Sequence, residues 1–167
     1  MKLLSLILIC ILFLSACSPS SKPDYISKNH DGVTATKKIE NSDFEIRLFT
    51  KKVNPDDNTF TLEGAIRYTG NRSEIIIHHG DPIFAATLNI DGKTIGDPTD
   101  IQTIGLSATL KANEWLTQNI TLQSSRTQMK SFFEKDGKIT LHAYFDAEGY
   151  AQKAGEYLSL TAEEIPY

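Results

Sequence analysis

From residue 43 onward, apolar residues recur at every second position along the chain. Phe44, Ile46 and Leu48 alternate with Glu45 and Arg47, and the pattern resumes after the turn cluster Asn54-Pro55-Asp56-Asp57-Asn58. Phe60, Leu62, Gly64, Ile66 and Tyr68 then interleave with Thr59, Thr61, Glu63, Ala65, Arg67 and Thr69. A period of two, with one apolar set and one polar set, predicts strands that are dry on one face and wet on the other. Gly70-Asn71 turns the chain into Glu74 to His79. Beyond Asp81-Pro82, Phe84, Ala86, Leu88 and Ile90 alternate again, and Asp91-Gly92 is a hairpin dipeptide that accepts positive φ.

Further strands are predicted where Ile104, Leu106, Ala108 and Leu110 share a face, and where Leu116, Ile120 and Leu122 follow the turn Lys111-Ala112-Asn113-Glu114. Ile139, Leu141, Ala143 and Phe145 mark another, and Tyr157, Leu158 and Leu160 a last one. Helical spacing appears over Ser125 to Lys135, with Ser124 or Ser125 as the cap and Met129, Phe132 and Phe133 as the apolar edge. Asp136-Gly137 closes it. Short strands at regular spacing, without alternating helices, predict an all-β fold. The expected architecture is an antiparallel immunoglobulin-like β-sandwich of seven or eight strands with one short helix, and a closed β-barrel is the alternative.

The start of the chain follows a different pattern. Lys2 precedes an almost unbroken apolar run from Leu3 to Leu14. Twelve residues of helix span about 18 Å, short of the ~30 Å hydrocarbon core, so the run suits a signal peptide better than a membrane span. Small residues follow, and Leu14-Ser15-Ala16-Cys17 resembles the lipobox of bacterial lipoproteins at all four positions. That resemblance implies removal of residues 1–16 and a diacylglyceryl group on the Cys17 thiol, two acyl chains being enough for stable anchoring. Cys10 lies within the apolar run and leaves with it.

Polar, proline-broken sequence then runs from Ser18 to about Asn41, which reads as a flexible tether over residues 17–40. Its expected r.m.s. span is about 25–30 Å. Val33 to Thr36 could add a short edge strand. The sandwich domain is then 41–167, a length suited to one core.

Between Leu62 and Leu122 the chain resembles the bacterial immunoglobulin-like domain family typified by the BsuPI proteinase inhibitor. The matching elements are Tyr68-Thr69-Gly70-Asn71, the strand Glu74 to His79, the hairpin end Asn89-Ile90-Asp91-Gly92-Lys93, and Leu110-Lys111-Ala112-Asn113-Glu114. Ala112-Asn113 stands where that family tends to have a glycine. The resemblance implies the sandwich fold and carries no inhibitory residues with it.

Charge narrows the partners. With 17 Lys+Arg against 21 Asp+Glu, the chain lacks the basic balance of a nucleic-acid-binding surface. Nothing after Cys17 can form a disulfide, and a lipidated Cys17 is no nucleophile. Gly105-Leu106-Ser107-Ala108-Thr109 has half of a nucleophile elbow, without its second glycine and on a strand. No dinucleotide or phosphate-cradling motif is present, so no cofactor is expected. His78, His79 and Asp81 are the best metal candidates, but neighbouring residues of a regular strand point to opposite faces. His30 and His142 would have to be brought in by the fold. Asp56-Asp57-Asn58 is a turn rather than a calcium loop, since Phe60 occupies a position needing an oxygen.

Trp115 falls on the face opposite Leu116, Ile120 and Leu122, which makes it the candidate contact surface, with Tyr144, Tyr150, Tyr157 and Tyr167 as lesser aromatics. The expected function is that of a non-enzymatic, lipid-anchored binding module of the bacterial envelope, engaging a protein or cell-wall partner. Inhibition of a secreted or wall-associated hydrolase is one alternative and a small envelope enzyme another. Eighteen isoleucines against two valines, and 13 lysines against four arginines, fit an AT-rich genome; together with the resemblance to the BsuPI-typified family, which implies it, this favours a Gram-positive cell membrane, facing outward. Ser18 would permit an outer-membrane destination in a Gram-negative cell.

Overall fold

The computed structural model describes residues 20–54, 56–95, 102–150 and 155–167. The lipobox and Cys17 lie outside them. Among the described residues there are ten strands: β1 (Tyr25–Lys28), β2 (Gly32–Lys38), β3 (Phe44–Lys51), β4 (Thr59–Tyr68), β5 (Glu74–Ile90), β6 (Lys93–Ile95), β7 (Gln102–Lys111), β8 (Trp115–Gln123), β9 (Lys138–Ala147) and β10 (Glu156–Thr161). One helix, α1 (Arg126–Glu134), lies between β8 and β9. It is capped as the sequence predicts: the Ser125 side chain accepts from the Gln128 amide, and the Gln128 side chain returns to the Ser125 amide. No described helix is long and apolar enough to cross a membrane.

The strands form two antiparallel sheets, the first ordered β1-β2-β3-β4-β8 and the second β10-β9-β5-β6, with β7 also paired to β5. This is an all-β sandwich and not a closed barrel. Alternation does the work it predicts. Ile46, Leu48, Leu62 and Ile66 of the first sheet and Ile77, Phe84, Leu88, Leu141 and Leu158 of the second turn inward into one core. Phe44 joins the sheets by packing against Tyr68, Phe145 and Tyr150, and Phe60 meets Phe132 of α1 edge to face. Gly64 takes an inward position of β4 because a side chain there would collide with the Phe84 ring, 2.8 Å from an ideal Cβ.

Three features depart from the expectation. The strand count among the described residues is ten rather than seven or eight: β1 and the short β6 are added, and the short edge strand allowed at Val33 to Thr36 is the longer β2, which lies between β1 and β3 rather than at an edge. Segments Glu74 to His79 and Phe84 to Ile90 are one strand, β5, whose register shifts between them around the cis Asp81–Pro82 bond. Its first half pairs with β7 and its second with β6, while β9 follows both.

The third departure concerns the tether. Residues 25–28 and 32–38 are integral strands, with Val33 and Ala35 fully buried, so the folded unit begins well before residue 41. Lys37 points inward as well. It can do so because its ammonium reaches the Glu156 carboxylate and the Tyr157 carbonyl on the opposite sheet, at 3.4 and 3.3 Å. A buried lysine needs such partners. The chain is fixed as early as Ser21, whose carbonyl accepts from the Ser159 amide of β10 at 2.8 Å.

Candidate functional site

The outer face of the first sheet is built by register. β3 sets Glu45 opposite Arg67 and Arg47 opposite Ala65; β8 sets Trp115 opposite Arg67 and Thr117 opposite Ala65. Ala65 has no reach of its own, so longer neighbours close over it, and it is fully buried although it faces outward. Both guanidiniums lie against the Trp115 indole, Arg47 at 4.5 Å and Arg67 at 4.6 Å from the ring centroid. Each is also tied to a carboxylate: Arg47 Nη2 donates to Glu63 Oε1 at 2.9 Å, and Arg67 Nε to Glu45 Oε2 at 2.7 Å.

Trp115 is therefore half-buried and held, not free. Cation–π attraction adds to the ion pairs, and the guanidinium suits such stacking better than an ammonium. Arg47 Nε is the one group left over, buried without a hydrogen-bond partner. Thr61, Thr117, Asn119 and Thr121 stay exposed around the stack and give it a polar, uncharged border. The arrangement offers a rigid aromatic and two oriented guanidiniums on a flat face. Its two carboxylates, Glu45 and Glu63, are each engaged by a guanidinium.

The outer face of the second sheet is different in kind. His142 Nε2 lies 3.1 Å from Thr87 Oγ1, its Nδ1 3.4 Å from the Tyr144 hydroxyl, and the Tyr157 ring packs edge to face against it. Burial pushes the His142 imidazole below its ordinary value, and burial, then the neighbouring Tyr157, pushes the Tyr144 phenol up. Its ring partners among these contacts are hydroxyls and an aromatic ring.

The predicted metal candidates are not gathered. His78 is exposed with Nδ1 2.9 Å from Ser107 Oγ; His79 is half-buried and turns its Nδ1 to its neighbour's carbonyl, that of Gly80. Asp81 is exposed in the register break. Among the described residues no three His, Cys, Asp or Glu side chains come together to hold an ion. Asp56, Asp57 and Asn58 share a groove of about 510 Å³ with Ser124, Ser125 and Arg126.

Ser107, which the sequence pattern gives no role, thus has a histidine partner. The pairing also sets Asp146 of β9 opposite His78, so Ser107, His78 and Asp146 form a row across three strands. A cleft of about 480 Å³ opens at one end of the sandwich, floored by Phe44, Tyr68 and Tyr150 and rimmed by Lys38, Asp43 and the Arg72–Glu148 ion pair. Burial and the adjacent Glu156, to which it donates, hold the Tyr150 phenol well above the usual range.

No family model matches the chain, and no curated protein matches it. Among solved structures it is similar to a protein of Archaeoglobus fulgidus known from a crystal structure, with 11% identity and a TM-score of 0.35. That likeness covers 70% of this chain and 89% of the archaeal one.

Proposed function

We propose that this chain is an envelope lipoprotein, held on the outer side of the cell membrane by diacylglyceryl-Cys17. Its sandwich domain binds a protein or cell-wall partner rather than catalysing a reaction. The lipid half of the reading rests on the lipobox Leu14-Ser15-Ala16-Cys17. The observation that carries the binding half is the Trp115 stack. Tryptophan and arginine concentrate binding energy at interfaces, and side chains already ordered by stacking lose less entropy when a partner arrives.

The test is crosslinking in intact cells followed by purification of the wild-type chain, Trp115→Ala and Thr117→Glu. Thr117 borders the stack without joining it, so its variant keeps the wild-type melting temperature. Both variants are expected to lose the same crosslinked partner. Equal capture by all three chains would remove this face as the contact.

A second reading, a small envelope hydrolase, is favoured by the Ser107 Oγ–His78 Nδ1 approach of 2.9 Å with Asp146 opposite. The row stands on an open sheet face and presents Nδ1 to the serine, whereas a working triad uses Nε2 there. Turnover of acyl esters that Ser107→Ala abolishes would transfer the proposal to this reading.

A further inference from the structure

We infer that the domain lies directly on the membrane, with the side formed by β1, β10 and the segment Ser21–Asp24 against the lipid headgroups. This inference rests on the lipid anchor at Cys17 proposed above. It follows from where the fold begins. Ser21 is tied to β10 through the Ser159 amide, and Asp24 is tied to β2 twice. Its amide donates to the Thr36 carbonyl, and its carboxylate accepts from the Lys38 amide at 2.7 Å.

Only Ser18, Pro19 and Ser20 separate Cys17 from the first fixed residue. Four residue steps reach about 14 Å at full extension. The headgroup layer itself takes up about 5–7 Å of that distance. A domain so tethered cannot swing clear of the surface, and the side that carries Ser21 has to face it.

The chemistry of that side suits an interface. Tyr25 is 65% exposed on the edge strand, and tyrosine favours the headgroup level. Lys22 and Lys28 are exposed beside it, with the Lys28 ammonium donating to the Glu163 carbonyl. The acids on this side are partly engaged: Asp24 accepts from the Lys38 amide, and Glu156 is paired with Lys37. Asp31 and Glu163 stay exposed. Tether length, rather than charge, is what selects the lipid surface as the occupant.

The same geometry orients everything else. The first sheet runs β1-β2-β3-β4-β8, so the β8 edge stands four strand spacings, about 19 Å, from the β1 edge. The Trp115 face is thereby lifted off the bilayer and turned sideways to it, within reach of a partner in the wall or on a neighbouring membrane protein.

The test is photocrosslinking of the full chain in cells, with benzoylphenylalanine replacing Tyr25 in one variant and Thr117 in another. Membrane fractionation of the same cells reports the anchor separately. With the chain in the membrane fraction, position 25 is expected to give lipid adducts several-fold above position 117. A flexible insert of about 20 residues between Ser18 and Pro19, adding an r.m.s. span of about 25 Å, should reduce the adducts at position 25 towards those at 117 while the chain stays in that fraction. Equal adducts at both positions, or adducts at 25 that survive the insert undiminished, would overturn the apposition and leave the anchor standing. A chain absent from the membrane fraction would overturn the anchor, and the apposition with it.

Discussion

The two sheets share one apolar interior, but the cluster around Trp115 on the outer face of one and the cluster around His142 on the outer face of the other are built from different materials. On the first sheet, charged side chains gather at the indole: two arginines lie against the Trp115 ring while each holds a glutamate. On the second, neutral groups pair, with Thr87 across the strands and Tyr144 along the same strand at the two nitrogens of His142, and Thr140 Oγ1 3.0 Å from Ser159 Oγ. Long charged side chains make a face that is ordered and still well hydrated, which suits recognition. Small hydroxyls and a half-buried imidazole make a face whose stability depends on protonation. The contrast also separates what the inner alternation requires from what each outer face adds.

Ile66 and Arg67 are adjacent and point to opposite sides of the same sheet. Ile66→Asp places an unpaired charge in the core and is expected to unfold the domain, at a cost of about 4 kcal/mol or more. Arg67→Asp removes the stack and sets two carboxylates directly opposite at Glu45, for about 1–2 kcal/mol. Chemical denaturation of both variants measures the gap, and equal losses would mean that the inner and outer faces are not distinct. Next in size is Gly64→Ala, whose Cβ would meet Phe84 and Leu141 at 2.8 and 3.0 Å. Overpacking of this kind costs about 1–3 kcal/mol, visible as a lowered denaturation midpoint with unchanged slope.

Trp115→Ala sharpens the comparison on the first face. It loses two cation–π contacts, so a loss of about 1–2 kcal/mol with a retained fold is expected. No loss at all in melting experiments would mean that the stack is not formed in solution. The smallest effect belongs to the second face. Because burial lowers the His142 pKa in the folded state, the unfolded chain binds the proton first as pH falls. Stability at this site is complete above the ordinary histidine value of about 6.5 and declines as pH drops below it. His142→Gln should flatten that acid slope, read as melting temperature between pH 7.5 and 5.5, while Trp115→Ala leaves it unchanged.

How much of this was legible in the sequence depends on the distance over which each feature is written. Periodicity is local: period-two alternation places β4 and β9, and helical spacing with its serine cap places α1, close to their observed bounds. It also put Arg67 and Trp115 on the outer side. The stack itself was not legible, because Arg47, Arg67 and Trp115 meet only through two strand registers. β2 is legible only as a short edge strand at Val33 to Thr36, because two of its buried positions are Ala35 and Lys37, a small residue and a lysine in place of large apolar ones. Lys37 is inward only by virtue of Glu156, which is distant in sequence. Ser107 stands out in the sequence only as half of a nucleophile elbow; its approach to His78 is not legible there, because that histidine lies on another strand.

The proposed anchor, the orientation of the domain and the access of partners to the Trp115 face all depend on Cys17. The direct measurement is metabolic labelling with an alkyne fatty acid, with membrane fractionation, of the wild-type chain and Cys17→Ala. A labelled wild-type chain in the membrane fraction is expected, with an unlabelled variant that is unprocessed or released. A wild-type chain that carries no label, or a Cys17→Ala chain that is labelled and retained like the wild type, would contradict the proposed anchor.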